Sequence, residues 1–209
     1  MTEEKKSQGG FKIFLGVLVT IYGIATALVA YQSSELGSKA TEMTFVGLME
    51  LTQGNDAYAV ADTEYNQSYD AITQVYLLEE TGGSQVAIDI WLDTLTDEAY
   101  DAYLRSDDVD DQYYDELYAY PNDLYDNAFL AYQTAQEYAE IGSQYEQIAL
   151  MMAMGLAFVG WASILDGAKL LRTVFAILAL LVLAGAVYLW WTTSSVPLSP
   201  EVLPLPLIE

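Results

Sequence analysis

The sequence predicts an all-α integral membrane protein, with three transmembrane helices and an extracytoplasmic helical domain built as an antiparallel stalk plus short helices. Three observations predict it. Three stretches of about 20 apolar residues are almost free of charge, the length a helix needs to cross a hydrocarbon core at about 1.5 Å per residue. The acidity lies elsewhere: 25 of the 30 acidic residues fall between Gln32 and Glu146, against two basic ones, so this segment accounts for the formal net charge of −23. Within it, apolar side chains recur at intervals of three and four, the period of an amphipathic helix.

Residues 1–10 form a short N-terminal segment, and the first predicted span runs from Phe11 to Tyr31. Its one charge, Lys12, sits at the end, where a long stem can carry the ammonium to the headgroups. Lys5 and Lys6 before an apolar run also fit a secretory signal peptide, with the small residues of Ala25 to Ala30 as a cleavage region. The run is longer than the roughly 7 to 15 residues of a signal core, which favours a retained anchor. The second span, Ile148 to Leu165, has Tyr145 and Trp161 near its ends, and the third, Thr173 to Trp191, closes on Tyr188, Trp190 and Trp191. Such aromatic rings suit the two membrane interfaces.

Orientation follows from the basic residues near the span ends. Lys5, Lys6 and Lys12 precede the first span, and Lys169 and Arg172 lie in the 166–172 loop between the second and third. Both segments are expected in the cytoplasm. This leaves residues 32–147 and the tail, 192–209, outside the cytoplasm of a multi-pass cell-membrane protein.

In the acidic segment, Phe45, Leu48, Tyr58, Ala61, Tyr65, Tyr69, Ile72 and Tyr76 lie along one helical stripe. Gly54, followed by Asn55 and Asp56, marks an expected kink; without one, Glu35 to Glu80 would run about 70 Å. Gly82 and Gly83 end the arm. Ser84 then caps a helix carrying Ile88, Trp91, Leu92 and Leu95, and Thr96 caps another from about Asp97 to Leu104. A further short helix holds Tyr113, Leu117 and Tyr120 and is expected to close at Pro121. From Asn122 a returning helix carries Ala128, Ala135, Ala139 and Gly142, small residues expected to receive Tyr58, Tyr65 and Tyr76 of the first arm. Carboxylates of neighbouring turns are the expected acceptors for the tyrosine hydroxyls.

The chain has no cysteine and no histidine, which removes disulfides, thiol chemistry and the usual imidazole base or metal ligand. With so many carboxylates, two of them together carry no catalytic signal; that role needs a carboxyl with a raised pKa in a pocket. No catalytic residue and no cofactor are expected. Asp107, Asp108, Asp110 and Asp111 are the candidate calcium ligands, being hard oxygen donors. They depart from the EF-hand pattern: counted from Asp108, position six is Tyr113 rather than glycine and position twelve is Ala119 rather than glutamate. Asn66, Gln67 and Ser68 form a glycosylation triplet.

No ionisable side chain other than tyrosine lies deep in a span, which argues against a proton-coupled transporter. Small residues recur there instead: Gly16, Thr20, Gly23 and Ala27 in the first span, and Ala149, Ala153 and Ala157 in the second, the spacing that lets helices pack closely in lipid. They serve either the three helices of this chain or contacts with other subunits. The tail alternates Pro197, Pro200, Pro204 and Pro206 with apolar residues and favours an extended path.

The order of parts resembles small three-span bacterial membrane proteins of unknown function. The resemblance rests on Ala30-Tyr31-Gln32 after the first span and on the run Ala139 to Ala149 feeding a closing helical pair. It implies the topology and no activity.

The expected function is that of a non-enzymatic accessory or scaffold subunit of a membrane assembly. Its expected partners are the lipid bilayer and other membrane subunits or further copies of itself, not nucleic acid. The alternatives are an extracytoplasmic binding or sensing module for cations or basic proteins, and an oligomeric cation channel with an acidic vestibule. A surface rich in Asp and Glu also suits a saline environment, in which case the acidity requires no partner.

Overall fold

The computed structural model describes residues 2–165 and 168–196, with side chains from Gly10 onward. Five helices follow in order: α1 (Thr2–Thr81), α2 (Gln85–Leu92), α3 (Asp97–Ser106), α4 (Asp111–Ile164) and α5 (Lys169–Ser194). No strand occurs among the described residues. The tail from Pro197, with its predicted extended path, lies outside them. α1, α4 and α5 each contain a window long and apolar enough to cross a membrane.

The chain divides into two compact units, one from the N-terminal part up to Met43 together with the chain from Gln133, the other from Thr44 to Tyr132. In the first unit the buried positions follow one rule on all three helices. Leu15, Leu18, Tyr22 and Val29 of α1, Ile141, Tyr145, Ile148, Met152, Val159 and Ala162 of α4, and Ala176, Ala179 and Ala186 of α5 form a single core. Their spacing alternates threes and fours, an average near 3.5 residues, which keeps a seam facing its neighbours when helices coil left-handedly. The apolar windows are only 22%, 28% and 22% buried, so most of their surface is left for lipid or other protein.

Polar contacts bracket this core at both ends. At one end the Arg172 guanidinium lies 4.3 Å from the centre of the Phe11 ring. At the other, Trp190 Nε1 donates to Gln32 at 2.8 Å and the Thr193 hydroxyl to Gln144 at 3.2 Å. Phe11 and Gln32 are 21 residues apart on one helix, or about 32 Å, close to the thickness of a hydrocarbon core.

In the second unit α1 ends as its glycines predict. Gly82 adopts a left-handed φ of 71°, and the amides of Gly82 and Gly83 return to the carbonyls of Glu79 and Leu78, which satisfies two end carbonyls. Ser84 caps α2 through the Ala87 amide, and Thr96 caps α3 through that of Ala99. Ala99 and Ala102 of α3 then pack in one cluster with Tyr113 of α4, with Tyr65, Leu95, Val109 and Leu117 around them.

Two expected breaks do not occur. α1 runs without interruption through Gly54, and Pro121 lies inside α4 instead of closing a separate helix before it. Gly54 is a packing site: a Cβ there would come within 3.1 Å of the Tyr125 ring. Pro121 is buried between the buried side chains of Tyr118 and Leu124. Burial of the ring works against the roughly 3 kcal/mol that an interior proline costs a helix. The segment between α4 and α5 is also shorter than the predicted loop, so Lys169 and Arg172 fall in the first turn of α5.

Candidate functional site

Burial along the two arms of the second unit follows the same alternation. Gly47, Glu50, Gly54, Ala61, Ser68 and Val75 are buried on α1, and Tyr118, Pro121, Leu124, Ala128 and Ala131 on α4. Large and small residues do interlock, but mainly in the direction opposite to the expected one. Gly47 and Gly54 of α1 receive Tyr132 and Tyr125 of α4, and the Gly47 Cα lies so close that a Cβ would approach the Ala128 carbonyl to 3.2 Å. Ala128, Ala135 and Gly142 are buried as expected, whereas Ala139 is exposed. Tyr58 and Tyr65 are half-buried, but Tyr76 is 61% exposed.

Six tyrosine rings run in contact: Tyr69, Tyr65, Tyr114, Tyr118, Tyr58 and Tyr125, with successive centres 4.3–6.5 Å apart. Three of these hydroxyls, those of Tyr58, Tyr118 and Tyr125, find partners across the two arms. Tyr118 donates to the Asp62 carboxylate at 2.5 Å, Tyr125 to Asn55 at 2.5 Å, and Tyr58 to Asn122. Tyr113 shares a 3.1 Å hydrogen bond with Ser68. Only one of these acceptors is a carboxylate. Burial, reinforced by neighbouring negative charge, raises the pKa of Tyr58, Tyr113 and Tyr118 above the phenolic value, with Asp62 adding to the shift at Tyr118.

The same hydrogen bond decides the glycosylation triplet. Asn66 is exposed but lies within α1, its amide donating to the Asp62 carbonyl, while the Ser68 side chain is buried against Tyr113. The folded segment therefore does not present an extended acceptor.

The aspartate run forms the α3–α4 turn. Asp107 closes α3 in the left-handed conformation at φ 59°, and Asp108 Oδ1 accepts from the Val109 amide at 2.8 Å. Asp110 takes two hydrogen bonds from Arg105, at 2.8 and 3.0 Å, and a third from the Tyr113 amide at 2.9 Å. Asp111 begins α4. The Arg105 contact, then the Tyr113 amide, hold the Asp110 carboxyl at about 2. Two of the four carboxylates are thus engaged in ending one helix and starting the next. Among the described residues no three His, Cys, Asp or Glu side chains are arranged to hold a metal ion.

In the spans, Gly16, Thr20, Gly23 and Ala27 are all exposed, and a Cβ on Gly16 or Gly23 would meet nothing within 4 Å. Ala153 and Ala157 are also exposed, while Ala149 packs against the core. Close packing within the first unit uses other small residues. Tyr22 fills the space over Gly155 and donates to the Ala179 carbonyl at 2.5 Å, and Ala162, Ala176 and Ala186 are buried nearby.

Sequence reasoning missed the surface formed by α2 and α3. It contains a cavity of about 330 Å³ lined by Asp89, Leu92, Asp93, Leu95, Asp97 and Tyr100. Val86 and Ile90, one helical turn apart on α2, are 68% and 59% exposed. The i, i+4 pairing of Val86 with Ile90, on a helix whose core contact is Ile88, is the signal that could have found it.

No protein-family model, curated protein or solved structure matches this chain.

Proposed function

We propose that the protein is a non-enzymatic accessory or scaffold subunit of a membrane assembly, with its acidic helical unit outside the cytoplasm. The observation that carries this reading is the small-residue stripe of α1. Gly16, Thr20, Gly23 and Ala27 have the spacing of a close helix contact, yet all four face away from the core of their own unit. Lipid tails gain nothing from glycine, whereas a second helix gains close approach of the backbones.

The orientation is supported by the Arg172 contact with Phe11, which holds the start of α5 against Phe11 of α1 at one end of the apolar core. Lys12 and Lys169 lie beside these residues in sequence, and such a basic end favours the cytoplasmic face. The same reading makes other subunits, or further copies of this chain, the partners within the bilayer.

The test is the native mass of the protein extracted from its own membrane in mild detergent. The expected particle exceeds one 23.1 kDa chain in fixed ratio, and Gly16→Leu/Gly23→Leu returns it to a single chain without loss of helicity. A wild-type protein that runs as one chain, with no companion, overturns the reading.

A further inference from the structure

We infer that the α2–α3 face is a docking surface for a basic, amphipathic protein segment. The proposal deepens the assembly reading by naming the chemistry of a partner, and it is tested separately from the contacts within the bilayer.

The first observation is apolar exposure where the fold does not require it. On the eight residues of α2, Ile88 supplies the buried contact, yet Val86, Ile90 and Trp91 stand 68%, 59% and 39% exposed. Single exposed apolar residues are ordinary, but three on one eight-residue helix are a concentration of uncovered apolar surface, and exposed apolar patches mark protein contacts. Leu104 and Tyr100 of α3 add further exposed apolar surface at 63% and 39%.

The second observation is charge. Asp89, Asp93 and Asp97 line the cavity together with Leu92, Leu95 and Tyr100. Between Gly82 and Asp110 the chain has eight acidic residues and one basic residue, Arg105, which is paired with Asp110. The two helices therefore present exposed apolar side chains together with carboxylates. An anionic membrane surface is repelled by them, and a neutral apolar partner would strip water from carboxylates without compensation.

The complementary occupant is a segment with Lys or Arg flanking an aliphatic or aromatic anchor. The anchor lies against Val86 and Ile90 or enters the cavity, and the cations meet Asp89, Asp93 and Asp97. At about 330 Å³ the cavity is near the lower limit for small-molecule sites and suits a single side chain. The long-range field of the carboxylates speeds encounter, and the apolar contact sets residence.

The probe is a short, fluorescently labelled Leu/Lys peptide with all its leucines on one helical face, titrated against the full chain in nanodiscs of zwitterionic lipid. A peptide of the same composition with its leucines dispersed serves as comparison, and empty nanodiscs are subtracted. The amphipathic peptide is expected to bind about tenfold more tightly than the dispersed one at near-physiological salt. Val86→Ser/Ile90→Ser abolishes that preference, and Asp89→Asn/Asp93→Asn/Asp97→Asn weakens binding about tenfold. The matched variant Asp56→Asn/Asp123→Asn/Asp126→Asn removes the same charge from exposed arm positions and changes binding less than about twofold.

Equal weakening by the two asparagine sets reduces the effect to a diffuse field and overturns the proposal. So does equal binding of the two peptides, absence of binding by both, or full competition by spermidine at low concentration, which would make the cavity a small-amine site. Circular dichroism of every variant separates lost docking from lost folding. Peptide binding by a protein whose native mass is one chain would sink the bilayer assembly while leaving this surface intact.

Discussion

Tyr22 of α1 lies directly over Gly155 of α4, filling the space a side chain would take there, and its hydroxyl reaches the Ala179 carbonyl of α5 at 2.5 Å. One residue thus touches all three apolar helices of the first unit. In lipid, hydrogen bonds between spans average well under 2 kcal/mol, so the shape match carries more of the contact than the hydroxyl does.

Tyr22→Phe is accordingly expected to cost about 0.5–1.5 kcal/mol, and Gly155→Leu about 1–3 kcal/mol or more through overpacking. Gly23→Leu, one position from Tyr22 but facing open space, is expected to leave the stability of the isolated chain unchanged. Unfolding in mixed micelles measures all three. A Gly155→Leu variant as stable as the wild type would show that the Tyr22 fit is dispensable.

The α3–α4 turn gives a prediction in acid. Arg105 and the Tyr113 amide hold the Asp110 carboxyl at about 2, below its unfolded value near 3.9. A depressed carboxyl pKa adds stability that is fully present above the unfolded value and is lost as pH falls through the folded one. The turn should therefore persist through pH 4 and loosen between about 4 and 2. Carbon-detected NMR titration of Asp110 checks this, with Arg105→Gln raising its midpoint toward the ordinary range. An ordinary midpoint in the wild type would contradict the contact.

The alkaline limit has the opposite sign. Burial and neighbouring charge raise Tyr58, Tyr103, Tyr113 and Tyr118 above their unfolded value near 10. Their contribution is full below that pH and is lost as pH rises through the folded values. Ultraviolet titration should reveal a late group of tyrosines whose ionisation coincides with loss of helical dichroism, and Asp62→Asn should move Tyr118 earlier. Seventeen tyrosines titrating together near pH 10, with helicity retained, would refute it.

Asp107 is the single non-glycine residue with positive φ among the described ones. Asp107→Gly is expected to stabilise the chain by about 0.5–1 kcal/mol, and Asp107→Val to destabilise it by at least as much. Thermal unfolding of the two variants decides the sign.

The helical class, the three apolar windows and the caps at Ser84 and Thr96 were legible because they rest on local signals: uninterrupted apolarity, period and side-chain oxygens before a helix. The breaks expected at Gly54 and Pro121 were misread because those residues are ambiguous locally. A glycine reads equally as a hinge or as a seat for a ring, and only Tyr125, 71 positions away, chooses between them. The tyrosine stripe failed in detail for a related reason. Periodicity located the arm but not its phase, so Tyr69 and Tyr76 came out exposed while Ser68 and Val75, one position before each, are buried. The α2–α3 face was obscured because α2 looked like an ordinary capped core helix, and only its packing reveals which apolar residues the core leaves out.

The contacts at the two ends of the apolar core, Arg172 with Phe11 and Trp190 with Gln32, lie 18 residues apart on α5 as well as 21 apart on α1. Each pair joins separate helices, so the distance between the ends is set by the bundle and not by the tilt of any single span. Such a body has a preferred bilayer thickness. In a thicker membrane its interfacial tryptophan and arginine would be drawn into hydrocarbon, and in a thinner one apolar surface would meet water, each at a fraction of a kcal/mol per Å. A membrane that holds these three helices would therefore fit them best at one thickness.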